Sequence, residues 1–179
     1  MKKTKRINRE VAYEGSILTI YKDTIIAPNG EEVYYDMVHH RMGAAAIVAV
    51  KDDGKLVMVR QYRNALDRET LELPAGARDS VNEDTKVTAI RELKEETGYT
   101  CTDIELLCQL KSTVAFCDEF IDIYLATGLV KGEQDLDPEE DIDIEEYELD
   151  YLIEQIYACN IQDSKTVSGI LAYANLLKA

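Results

Sequence analysis

Three glutamates, Glu92, Glu95 and Glu96, lie in the stretch Arg91-Glu92-Leu93-Lys94-Glu95-Glu96-Thr97-Gly98-Tyr99. On a helix, residues three and four apart share a face, so the three carboxylates crowd one side of a single turn. Each like-charge pair costs an isolated helix roughly 0.2–0.5 kcal/mol. They also occupy the last turn before Gly98, where the macrodipole disfavours anions. A hard divalent cation removes both objections, because Mg²⁺ takes oxygen ligands from a few carboxylates and keeps room for waters and substrate phosphates. A solvated acidic face is the other reading of these three residues taken alone.

The wider string decides between the two. Leu71-Glu72-Leu73-Pro74-Ala75-Gly76 is followed by Glu83 and then by the Arg91–Tyr99 stretch, and this resembles the Nudix box, Gly-x5-Glu-x7-Arg-Glu-(apolar)-x-Glu-Glu-x-Gly-(apolar). Six residues, Ala77 to Asn82, separate Gly76 from Glu83 where the box has five, an insertion that loop-closure entropy makes mild. The resemblance implies that Glu92 and Glu96 bind metal, that Glu95 assists or holds a second ion, that the Ala75 carbonyl completes the shell, and that Glu83 and Arg91 form a structural pair. Mg²⁺ is the expected cofactor, with Mn²⁺ as a substitute.

Around the box the chain resembles the ADP-ribose pyrophosphatase group of that family. In Arg60-Gln61-Tyr62-Arg63 the resemblance gives Arg63, and with it Arg60, a hold on the substrate diphosphate, a task suited to a guanidinium fork. Ser112-Thr113-Val114-Ala115-Phe116-Cys117-Asp118-Glu119 is similar to the group's substrate loop, with Val114 in place of a marker Pro and Ala115 in place of Gly. Within the acidic stretch Asp135 to Glu146, Glu140 matches the family's water-activating loop glutamate, and Glu139 is the neighbouring alternative. Tyr35 matches an aromatic residue that stacks on adenine from the N-terminal sheet of a homodimer. The reaction implied is cleavage of ADP-ribose to AMP and ribose 5-phosphate. Hydrolysis of another nucleotide sugar or dinucleotide, or nucleotide sensing without catalysis, are the rival readings.

The elements that must position these residues can be read from pattern. Ser16 to Tyr21, Thr24 to Ile26 and Val33 to Tyr35 read as strands, with Pro28-Asn29-Gly30 turning the chain. Ala44 to Val50 is apolar throughout and Leu56 to Val59 follows Asp52-Asp53-Gly54, which suits two buried strands joined by a tight turn. Over residues 83–97, Val87, Ile90 and Leu93 recur every three positions and Ala89 meets Leu93 at i+4, predicting an amphipathic helix. Asp79, Ser80 and Asn82 are its candidate caps, and Gly98 its left-handed stop. Strands at Ile104 to Lys111 and Phe120 to Leu125 precede amphipathic segments at Leu149 to Cys159 and Ser164 to Leu177. The expected fold is α/β, a Nudix α/β/α sandwich with a mixed sheet (43–179) and an N-terminal antiparallel β subdomain (1–42) that serves dimerisation.

Composition limits the partners. The chain has 179 residues and a formal charge of −15, from 35 acidic against 20 basic residues. That balance argues against general affinity for nucleic acid or anionic membrane. Lys2-Lys3-Thr4-Lys5-Arg6 reads as a solvated tail. Cys101, Cys108, Cys117 and Cys159 show no C-x-x-C spacing, His39-His40 no metal spacing, and no run is long and apolar enough to span a bilayer. A cytoplasmic protein acting on a nucleoside diphosphate sugar is the expectation.

Overall fold

A run without polar residues must be covered on both faces, and Ala44–Val50 is covered on both. The computed structural model describes residues 4–138 and 140–178. Its elements in chain order are β1 (Lys5–Glu14), β2 (Leu18–Ile26), β3 (Glu32–His40), β4 (Ala44–Val50), β5 (Leu56–Arg63), β6 (Arg68–Glu72), β7 (Ala75–Ala77), α1 (Thr85–Thr97), β8 (Tyr99–Lys111), β9 (Phe120–Lys131), β10 (Ile142–Tyr147), α2 (Leu149–Tyr157) and α3 (Ser164–Leu176). These fall into two units, one holding the described residues through Gly43 with Lys111–Phe120, the other holding Ala44–Leu110 and the described residues from Ile121 onward.

The second unit is built on a mixed sheet of order β10-β5-β4-β9-β8, with β6 added to β5 and β7 to β4. β4 and β9 run parallel, Ala44 opposite Ile121, whereas β10–β5, β4–β5, β5–β6 and β4–β7 are antiparallel. Side chains alternate along a strand, and β4 divides its apolar residues accordingly. Ala45, Ile47 and Ala49 meet Val57 of β5 and Ala89 and Leu93 of α1. Ala46, Val48 and Val50 meet Leu56, Met58 and Leu73, then Leu152 of α2 and Ile161 and Ile170 on the α3 side. The sheet is thus sandwiched between α1 and the C-terminal helices, as the sequence leads one to expect.

The first unit carries the antiparallel sheet β1-β2-β3. Gly30, at φ 91°, closes the β2–β3 turn and donates from its N–H to the Ala27 carbonyl (2.9 Å). Of the basic start, Lys2 and Lys3 lie outside the described residues, and Lys5 and Arg6 belong to β1 and not to a solvated tail; Arg9 of the same strand clamps Asp23 through Nε (2.6 Å) and Nη2 (2.7 Å), tying β1 to β2. The two strand segments expected between Ser16 and Ile26 are one continuous strand. His39 Nδ1 lies 2.7 Å from Asp118, and the His40 N–H donates to the same carboxylate (3.0 Å), which fixes Lys111–Phe120 to β3.

Two further expectations change. Helix α1 begins at Thr85, later than expected, and is capped by Asp84, whose side chain accepts from the Lys86 N–H (2.9 Å), and not by Asp79, Ser80 or Asn82, which lie in the loop that the Glu83 N–H closes onto the Ser80 carbonyl. The acidic stretch is not loop throughout: Ile142–Tyr147, with Ile142 buried at its start, forms a strand that pairs with β5. Close packing of α3 on the sheet centres on Gly169, where a Cβ would stand 2.6 Å from Leu73 Cδ1 and 3.2 Å from both Val48 and Ile123. Gly169→Val is expected to destabilise the protein by about 1–3 kcal/mol through overpacking, in spite of removing a helix glycine. Urea denaturation would measure it, and a neutral or stabilising result would contradict this packing.

Candidate active site

Helix α1 ends where the sequence places its stop, at Gly98 with φ 70°. Its carboxylates are not on a solvated face: Glu92 is 8% exposed and Glu96 3%. The short strand β7 lies against this helix. The Ala75 N–H donates to Glu96 Oε2 (2.9 Å), and a Cβ on Gly76 would fall 2.1 Å from the Glu92 carboxyl. Only a residue without a side chain lets Glu92 approach that closely. Pairing with β4 holds the Ala75–Gly76 backbone in turn, Ala45 opposite Gly76 and Ala46 opposite Ala75.

Electrostatics follow from this gathering. Burial pushes the Glu92 carboxyl up to about 7, against the pull of Arg91, and the charges of Glu95 and Glu140 push it the same way. Burial likewise pushes Glu96 up to about 8, against the bond from the Ala75 N–H, with Glu92 and Glu140 adding to the rise. Glu140 therefore belongs to the same electrostatic cluster. Its loop is fastened to the end of α1, where Gln134 Nε2 donates to the Glu96 carbonyl (2.7 Å) and the Asp135 N–H to the Glu95 carbonyl (3.0 Å). Glu139 lies outside the described residues.

Arg91 reaches further than the expected pair. Its Nη1 donates to Glu92 (2.7 Å) and Glu95 (2.9 Å) and its Nη2 to the Ala77 carbonyl (2.9 Å), while Glu83 stands 3.8 Å away. Glu83 accepts from the Asp79 N–H (2.8 Å) and from Thr88 Oγ1 (2.9 Å), so it organises the loop before the helix as well. Among the described residues, Arg91 Nε is a buried donor without a partner. Among them too, no three His, Cys, Asp or Glu side chains converge tightly enough to hold a metal by themselves. Two carboxylates beside a strand backbone still match an ion that takes one or two carboxylates and fills its other positions with water and phosphate oxygens.

The arginines are both engaged. Arg63 forks onto Glu72 through Nε (2.7 Å) and Nη2 (2.6 Å), and Arg60 onto Glu145 of β10 through Nε (2.5 Å) and Nη2 (3.0 Å). The Arg63 fork lines a cavity of about 350 Å³, together with Leu66, Arg68, Gln162 and Lys165. Tyr35 lies exposed on β3 of the other unit. Glu72 and Lys165 escaped the sequence reading. Glu72 is 2% exposed; burial alone would raise its carboxyl, yet Arg63, Lys165 and Thr70 together hold it at about 2. The raised carboxyls have a consequence for stability. Since the fold favours the neutral form of Glu92 and Glu96, their contribution is complete below the ordinary value of 4.5 and is lost as pH rises through about 7 and about 8. With chelator present, the unfolding temperature is expected to fall from about pH 5 to 8.5, and Glu96→Gln to flatten that fall. Calorimetry across this range tests it, and identical slopes in the two proteins would refute the assignment.

Known proteins resemble this chain along most of its length. The Nudix domain model matches residues 39–163. A methanol dehydrogenase activator from Bacillus methanolicus is 39% identical over 168 residues, 93% of this chain and 90% of that protein. An ADP-ribose pyrophosphatase of Bacillus subtilis (strain 168) is 33% identical over the same shares. The crystal structure of an ADP compounds hydrolase superposes with a TM-score of 0.88 at 22% identity, covering 99% of this chain and 96% of that one, a likeness of fold. With the box residues gathered on β7 and α1, and relatives matched along nearly the whole length, the chain belongs to the Nudix hydrolase family.

Proposed function

We propose that the protein hydrolyses the diphosphate of ADP-ribose, giving AMP and ribose 5-phosphate, with Mg²⁺ as cofactor and Mn²⁺ as a substitute. The observation that carries the reading is the pair of buried carboxylates, Glu92 and Glu96, pressed against the Ala75–Gly76 backbone. These, with the Ala75 carbonyl, would hold the ion, and Glu95 would assist. When bound, the ion supplies positive charge to the diphosphate and acidifies the attacking water.

The chain's own groups do the rest. Arg63 keeps one edge of its guanidinium on Glu72 and offers the other to a diphosphate oxygen. Arg60 would have to leave Glu145 to join it. Glu140, whose side chain accepts from the Asp137 N–H (3.0 Å), takes the proton of the water as its oxygen attacks phosphorus and the P–O bond to the leaving phosphate breaks. Glu139 is the alternative base. Glu83 holds the loop that aims Arg91. Exposed Ile7, Val11, Tyr13 and Tyr34 on the N-terminal sheet support a homodimer in which Tyr35 stacks on adenine. The four free cysteines fit work in the cytoplasm, and no helix among the described residues is long and apolar enough to cross a membrane.

A relative that bears the name ADP-ribose pyrophosphatase supports the substrate. Val114, 83% exposed in the substrate loop, favours as a second reading another nucleotide sugar or dinucleotide cleaved by the same chemistry. The test is release of AMP from ADP-ribose with Mg²⁺, set beside ADP-glucose, GDP-mannose and dinucleoside polyphosphates. Glu96→Gln should lower kcat on the order of 100-fold, and Gly76→Ala, by displacing Glu92, should act in the same direction with little loss of fold. Tight ADP-ribose binding without turnover would instead make the protein a nucleotide sensor. An undiminished rate in Glu96→Gln would remove the metal-site reading.

A further inference from the structure

We infer that Lys165, which no sequence motif marks, is a positioning residue for the reaction: it locks Glu72 so that Glu72 can hold the Arg63 guanidinium in one orientation. The inference rests on the reading of Arg63 as the diphosphate contact. Lys165 lies in the first turn of α3 and is 8% exposed. Its ammonium donates to Glu72 Oε2 and, at 2.9 Å, to Asp163. The Glu72 carboxylate is thereby saturated: Oε1 accepts from Arg63 Nε (2.7 Å) and Thr70 Oγ1 (2.6 Å), and Oε2 from Arg63 Nη2 (2.6 Å) and Lys165. No lone pair is left to draw Glu72 toward another donor, so the 39% exposed Arg63 side chain is fixed by two bonds at once.

The same helix turn grips the chain on the other side of Glu72. Asp163 caps α3 by accepting from the Thr166 N–H (3.0 Å) and from Thr166 Oγ1 (2.6 Å), and Thr166 Oγ1 accepts from the Leu73 N–H (2.9 Å). From Leu73 the backbone runs through Pro74 to Ala75, whose N–H holds Glu96. One helix terminus therefore sets the guanidinium and the carboxylate site against a common frame. Stability does not account for the arrangement, because removing two charges from water costs about as much as their attraction returns. Preorganisation does: a free arginine would lose rotamer freedom each time it met a ligand, and a clamped one has lost it already.

The test is kinetic, on whichever nucleoside diphosphate sugar the wild-type protein turns over. Lys165→Gln is expected to raise KM roughly tenfold with kcat within about threefold, and to add less than about twofold in an Arg63→Gln background. Unchanged KM, or effects of the two substitutions that multiply, would overturn the inference, since a merely structural lysine acts independently of Arg63. If Lys165→Gln fails to fold, Thr70→Val removes another donor from Glu72 without touching α3; its expected effect is a smaller KM rise, again absent in the Arg63→Gln background, and a rise that persists there overturns it. An NMR measurement without substrate separates this inference from the proposed function. The Arg63 Nε–H resonance should be sharp in the wild type and broadened in Lys165→Gln even if no substrate is found, whereas a signal indifferent to Lys165 refutes the clamp.

Discussion

The approach of a strand backbone to a helix's carboxylates is the constraint on which the second unit turns. β7 comes so near α1 that a Cβ at Gly76 would overlap the Glu92 carboxyl, and its Ala75 N–H ends on Glu96. Neither acid could be buried there without that backbone. Burial of carboxylates is costly unless something compensates the charge, and here the compensation is partial: one backbone N–H for Glu96 and the guanidinium of Arg91 for Glu92. Both groups are left with carboxyls raised well above the ordinary range. Buried acids perturbed in this way are common where chemistry is done.

The rest of the fold can be understood as what keeps β7 in place. Three residues with no bulky side chain have little tendency to form a strand; Ala75–Ala77 does so because β4 offers it a partner edge and β4 itself is held between two hydrophobic layers. On one layer sits α1, which brings Glu92 and Glu96. On the other sits α3, whose first turn bonds to Leu73 and Glu72 just before β7 begins. A shift in either layer would move the helix carboxylates or the strand that receives them, so core packing and site geometry are one problem.

What the sequence disclosed and what it hid divide along the same line. The carboxylates, the Ala89–Leu93 pair and the stop at Gly98 are local and legible, but Val87 and Ile90, expected on the apolar face of α1, are exposed, because the buried face instead carries Thr85, Thr88 and the acids Glu92 and Glu96 beside Ala89 and Leu93. The cap is Asp84 because the chain stays in a turn from Ser80 to Glu83 and becomes helical only at Thr85, which places the Asp84 carboxylate on the Lys86 N–H. β10 was obscured because its charged residues, Asp143, Glu145 and Glu146, break the alternation a strand would show and make it look like an acidic loop; the pairing of Glu145 with Arg60 shows why a charge on the sheet is tolerated there. The bond from Lys165 to Glu72 spans 93 residues, and no periodicity reveals a contact of that range.

One question remains about sign. A chain of formal charge −15 is repelled at long range by a diphosphate substrate, and the two arginines nearest the sequence motif are already neutralised by glutamates. Net charge therefore does not favour attraction at a distance. On the proposed function, short-range terms would supply affinity: the donors that Arg63 still presents after satisfying Glu72, and a cation taken up by the buried acids on loss of their protons. Both depend on groups held in place before the ligand arrives. The same net negative charge works against polyanions such as nucleic acid, which bind where Lys and Arg neutralise their phosphates.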